Sequence, residues 1–132
     1  HCGETLFLKE NFSNEQMASL YTACDALIAP YRYARHGMAV HEAMACGLPV
    51  VCTHSGGLPE LVGTTAGITV PAEESWERVV PADAVALADS VCKIWKDYFS
   101  FSEAARKRAV ERFDVRPWIK RHTEIFEHIL RM

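Results

Sequence analysis

The sequence predicts an α/β fold: part of a doubly wound parallel sheet, followed by a run of C-terminal helices. Three observations carry this. Short apolar runs alternate with helix-spaced patterns through about the first seventy residues, as repeated strand-helix units do. Glycine and proline punctuate those units, and from residue 83 onward only helical spacing remains. With 132 residues, 49% of them apolar, the chain can build one packed core.

The elements follow in order. Residues 5–8 read as a short buried strand. Ser13 can cap the next helix through its hydroxyl, and residues 15–24 set Met17, Leu20, Tyr21 and Cys24 at helical spacing. Residues 26–29 are a second strand, closed by Pro30. A helix over 38–46 is preceded by Gly37, can end on a left-handed Gly47 and is stopped by Pro49. Residues 49–52 give a third strand, 55–62 a short helix with Pro59 in its first turn, and 67–70 a fourth strand. A polar loop occupies 73–81.

The helical part, residues 83–132, begins with a helix over 83–97 that places Leu87, Ala88, Val91, Cys92 and Trp95 on one face. Ser100 and Glu103 have capping-box spacing, opening a helix that runs to about Arg112. Asp114 can cap the last helix, which tolerates Pro117 in its first turn. Its stripe of Trp118, His122, Ile125, Phe126 and Ile129 is expected to be buried against something, as core or interdomain packing.

Charge and cysteine usage exclude several function classes. Lys plus Arg number 14 against 17 Asp plus Glu, a formal charge of -3, and no basic run could neutralise a row of phosphates. Nucleic acid is therefore not an expected partner. The five cysteines, Cys2, Cys24, Cys46, Cys52 and Cys92, form no C-x-x-C pair. They are expected to be reduced and mostly buried thiols of a cytoplasmic protein. No apolar stretch approaches the roughly 20 residues that span a bilayer, so no transmembrane segment is expected. The chain opens on His1 and reaches its first predicted strand at once, which implies further residues upstream.

The informative stretch is YRYARHGMAVHEAMACGLPVVCTHSGGLPELV, residues 31–62. A helix that starts after glycine presents free backbone N-H groups and the positive end of its dipole, which suit a diphosphate. Glu42 stands four residues after Met38, on the same helical stripe. Its carboxylate can accept hydrogen bonds from two sugar hydroxyls.

The strings HEAMACGLPVV and SGGLPELV resemble the signature of retaining GT-B glycosyltransferases of the group 1, family four type. The resemblance extends from about Thr5 to Leu130, through the LIAP and GITV strands and the closing F-D-x-x-x-W helix. It implies a Rossmann-like, nucleotide-sugar-binding C-terminal domain over residues 1–132, incomplete on its N-terminal side and lacking an N-terminal acceptor-binding domain. It further implies Glu42 on the ribose hydroxyls, and Gly37, Met38 and Ala39 offering N-H groups to the diphosphate or donor sugar at the sheet's C-terminal edge. The implied chemistry is sugar transfer from a nucleotide diphosphate donor, without metal or other cofactor.

One departure bears on activity. The family usually carries a second acid eight residues before the first, and that position is Ala34; no Asp or Glu lies between Asp25 and Glu42. Either Arg35 or His36 takes over the donor-sugar contact, or sugar-specific contact is weakened; the alternative function is a non-catalytic nucleotide-sugar-binding or scaffold domain. A related GT-B epimerase or phosphorylase fits the fold but matches these strings less well. No catalytic residue is assigned.

Other candidates read as ordinary. The spacings of His36, His41, Cys46 and His54 match no metal site. Glu73, Glu74 and Glu77 read as a solvated acidic loop, and Cys52 as a buried strand thiol.

Overall fold

The computed structural model describes residues 11–34, 36–73, 75, 77–78 and 80–132. The strand expected over 5–8 lies outside them. The elements are α1 Asn14–Thr22, β1 Leu27–Ala29, α2 Met38–Ala45, β2 Val50–Thr53, α3 Leu58–Val62, β3 Gly67–Val70, α4 Ala84–Lys96, α5 Tyr98–Phe113 and α6 Val115–Leu130. The three strands form one parallel sheet in the order β1-β2-β3, with Ile28 opposite Val51 and Val51 opposite Ile68.

Every residue of β2 is buried, as the centre of a sheet covered on both faces requires. On one face Val50 and Cys52 pack with Val40 and Met44 of α2, Leu58 and Val62 of α3, and Ala105 and Ala109 of α5. On the other, Val51 and Val70 meet Ile94 of α4, with Leu87 and Val91 beside it.

Local signals placed most boundaries. Ser13 forms a capping box with Gln16, Gly47 adopts φ +80°, and Asp114 accepts from the Arg116 backbone N-H at 2.9 Å. Cys24, expected on the buried stripe of α1, instead follows the helix and is exposed. The expected face of α4 is also rotated. Ala88, Cys92 and Trp95 face solvent, Trp95 at 66% exposure, while Leu87, Ser90, Val91 and Ile94 face the sheet. Ser90 tolerates that position because its hydroxyl donates to the Ala86 carbonyl at 2.7 Å.

Nor does Ser100 start α5. The helix follows α4 after Asp97 alone, so Ser100 and Glu103 lie inside it. Small Ala105 and Ala109 let α5 approach α2, where its polar side chains reach carbonyls that helix ends leave unpaired. Ser102 donates to Gly47 O at 2.7 Å, Arg106 donates to Ala45 O, and Arg108 donates to Leu61 O and Glu60 O at 2.6 Å each. α5 thus fastens the C-terminal ends of both α2 and α3.

No residue of α6 is buried in this chain, and Trp118, Ile125, Phe126 and Ile129 are exposed. Nothing among the described residues covers the stripe that the sequence marks for burial. Of the described cysteines only Cys52 is buried, Cys46 is half-buried, and Cys24 and Cys92 are exposed, correcting the expectation of mostly buried thiols. No helix of the described residues is long and apolar enough to cross a membrane.

Candidate functional site

Parallel strands bring their C-terminal ends to one edge, and here the loops after β1 and β2 lead into α2 and α3. Both loops are held from beneath. Buried Thr53 donates its hydroxyl to Tyr31 O, and buried Ser55 donates to Arg32 O at 3.1 Å. Arg32 in turn donates to Arg78 O at 2.7 Å and Ser75 O at 3.2 Å, while Tyr33 OH donates to Ser75 O. The segment between β3 and α4 is thereby drawn against the loop that precedes α2. Nothing in the sequence marks these roles of Arg32, Thr53 and Ser55, because their partners are distant main-chain carbonyls.

Gly37 is the N-cap of α2 and is buried against Leu58 and Leu61 of α3. No side chain caps this helix, and no described residue accepts from the N-H groups of Met38, Ala39 or Val40. Those donors and the helix dipole are free for an anion at the sheet's C-terminal edge. The Met38 side chain is 59% exposed, and Ala39 is half-buried.

His36 is exposed and stacks on His41 at 6.2 Å between ring centroids. His41 meets the edge of Phe113 at 4.7 Å, and its Nδ1 lies 3.0 Å from Gly37 O, so Nδ1 carries the hydrogen in that contact. Arg35 lies outside the described residues.

Glu42 projects from the middle of α2 and is exposed. Its Oε2 accepts from Tyr21 OH at 3.1 Å. Burial of Tyr21, and then the Glu42 carboxylate, push that phenol up to about 12. Tyr21 was legible in the sequence only as an apolar position of α1. A buried Tyr needs a partner for its hydroxyl, and that was the signal available.

Among the described residues, no one cavity takes in all of the site residues. His36, Gly37 and His41 line a recess of about 280 Å³ with Arg108 and Arg112 of α5. Glu42 opens on two others, one of about 300 Å³ beside Tyr21 and one of about 490 Å³ that also holds His36, Met38 and Trp118. A roomier recess of about 550 Å³, lined by Thr64, Thr65, Lys107 and Arg112, lies at the turn before β3, away from the C-terminal edge.

Ala34, where a second acid would fall, is 8% exposed and belongs to the core cluster of the α2 face. Its side chain offers nothing to a ligand. Among the described residues no group of three or more His, Cys, Asp or Glu side chains is placed to hold a metal ion. Glu73 is paired with Arg78 at the surface, Glu77 is exposed, and Glu74 lies outside the described residues. Burial pushes the Cys52 thiol up to about 11, which makes it a poor nucleophile.

A parallel sheet with helices on both faces, and an uncapped helix start at its C-terminal edge, makes this a partial Rossmann-like α/β fold. The family model described as glycosyl transferases group 1 matches residues 4–97, and the chain belongs to that family. The O-antigen chain mannosyltransferase B of Escherichia coli is 30% identical over 89 residues, 57% of this chain and 23% of that protein. Among solved structures, sucrose-phosphate synthase from Thermosynechococcus elongatus superposes with a TM-score of 0.74 at 28% identity, covering 88% of this chain and 28% of that one. HepE of Anabaena, solved in complex with UDP-glucose, gives a TM-score of 0.65 at 25% identity over 89% of this chain and 30% of HepE. The chain spans about a quarter of the length of the curated relatives it matches.

Proposed function

We propose that the full-length protein transfers a sugar from a nucleotide diphosphate donor to an acceptor with retention at the anomeric carbon, and that this chain supplies the donor-binding part. The observation that carries the reading is the placement on one helix, α2, of unpaired first-turn N-H groups and an exposed carboxylate, Glu42. The likeness to HepE, a protein solved with UDP-glucose, supports it. Gly37, Met38 and Ala39 take the diphosphate, Glu42 takes ribose hydroxyls, and Arg35 or His36 contacts the donor sugar in place of the absent acid.

Acceptor binding belongs to an N-terminal domain outside this chain, in keeping with a match to only a quarter of the relatives' length. Charge on the departing diphosphate is met by the helix dipole and by basic groups, with no metal. The setting is cytoplasmic carbohydrate biosynthesis.

The test is transfer by the full-length protein across a panel of nucleotide sugars, with the product anomer read by NMR. Replacing both Arg35 and His36 by Ala should lower the rate far more than it weakens binding of the bare nucleotide diphosphate, the mark of a contact made to the sugar in the transition state. Product of inverted configuration would overturn the mechanism. Buried Ala34 favours a second reading, a nucleotide-sugar-binding domain without catalysis. Donor binding with no transfer in the full-length protein would select it.

A further inference from the structure

We propose that Tyr21 is a positioning residue for Glu42, holding its carboxylate in the orientation that receives the vicinal hydroxyls of a nucleoside diphosphate. The inference rests on the reading of Glu42 as the hydroxyl acceptor. Tyr21 sits in the last turn of α1 with only 8% of its surface exposed, packed with Ala43 and Leu48 and beside Met17 and Cys46. That packing fixes the ring. Its hydroxyl then ends 3.1 Å from Glu42 Oε2, on a different helix and 21 residues away in sequence.

Glu42 needs such a partner. It is exposed, no cation is paired with it among the described residues, and a free Glu side chain ranges over several rotamers. Accepting two adjacent hydroxyls at once requires one orientation of the carboxylate plane. Fixing that plane beforehand removes an ordering cost from binding.

The arithmetic of acceptors agrees. A carboxylate has about four lone-pair positions, and Tyr21 fills one of them, leaving Oε1 and the remaining lone pair of Oε2 for a diol. With its ionisation pushed up to about 12, the phenol stays a donor across the neutral range. The pair borders a recess of about 300 Å³ between α1 and α2, which gives a ligand access to the carboxylate.

The experiment uses the full-length protein and compares UDP, GDP and ADP with their 2′,3′-dideoxy counterparts by calorimetry, in the parent, Tyr21→Phe, Glu42→Ala and the double variant. The parent should prefer the ribonucleotide, and Glu42→Ala should remove most of that preference. Tyr21→Phe should weaken ribonucleotide binding about three- to tenfold, the scale of one net hydrogen bond. It should leave dideoxynucleotide binding unchanged and add nothing in the Glu42→Ala background. Should the Phe variant fail to fold, Tyr21→Met, smaller but flexible enough to follow the pocket, also removes the hydroxyl and answers the same comparison.

Equal weakening of ribo and dideoxy ligands by Tyr21→Phe would show a purely structural role and overturn the proposal. So would a Tyr21→Phe variant that matches the parent while Glu42→Ala is impaired. If Glu42→Ala leaves the ribo preference intact, or if none of the nucleotides binds, the donor-site reading itself falls and the inference with it.

Discussion

Ala34 and Gly56 press together through their backbones: a Cβ on Gly56 would overlap the Ala34 carbonyl oxygen, and Gly56 holds φ +52°. This contact joins the loop before α2 to the loop before α3. Gly56→Ala should therefore destabilise the protein by about 2 kcal/mol or more, through left-handed strain together with displaced backbone. Thermal unfolding checks this, and an unchanged midpoint would contradict the contact.

The same burial decides what an acid at position 34 would do. Ala34 is 8% exposed within the core cluster, so Ala34→Glu must either bury a carboxylate or displace the loop. Burying an unpaired charge costs several kcal/mol. The variant should lose stability and gain no transfer activity, even though the acid would match the family pattern. Calorimetric unfolding and a transfer assay on the same preparation test this; a faster, equally stable variant would refute it.

Glu42→Ala in the full-length protein should weaken binding of its nucleotide diphosphate by about 1.5 to 3 kcal/mol, the range for hydrogen bonds to a charged group. Glu42 is exposed, so truncation leaves the apolar core intact and costs the fold only the hydrogen bond from Tyr21. Titration calorimetry on a variant shown to be folded at the temperature of the experiment is the measurement. Unchanged affinity would remove Glu42 from the site.

Cys52 should be inert in the native state. Its side chain is buried in β2, and desolvation pushes the thiol up to about 11, so little thiolate exists at pH 8. Alkylation at pH 8 followed by peptide mapping should leave Cys52 unmodified until denaturant is added. Labelling of the native protein at Cys52 would mean that the sheet opens there.

Acid should loosen the start of α6. The Arg116 side chain, with Nε 3.0 Å from Asp114 Oδ2, and then the Arg116 backbone N-H, hold the Asp114 carboxyl down to about 2. A folded-state value below the unfolded value of about 3.9 contributes stability above that pH. The contribution is lost as pH falls through about 2. Asp114→Asn keeps a capping oxygen but does not titrate. Protection of the Arg116 and Trp118 amides, corrected for the intrinsic pH dependence of exchange, should therefore fall between pH 4 and 2 in the parent and stay flat in the variant. Equal acid dependence in both would assign the effect elsewhere.

The sequence by itself determined the order and kind of the described elements, the caps at Ser13 and Asp114, the left-handed end at Gly47 and the limits of β3. These follow from local terms: backbone sterics, orphan N-H and C=O groups, and apolar spacing within one turn or two. The helix start at Gly37 and the carboxylate of Glu42 were legible for the same reason. Tertiary structure alone decided the rest. It chose Ser90 and Ile94 over Trp95 as the buried side of α4, because two overlapping apolar stripes differ only in which one meets β2 and β3. It placed Ala34 in the core and the Tyr21 hydroxyl on Glu42. Contacts across 21 residues or more depend on how whole helices and loops pack on the sheet, and no local propensity encodes that distance.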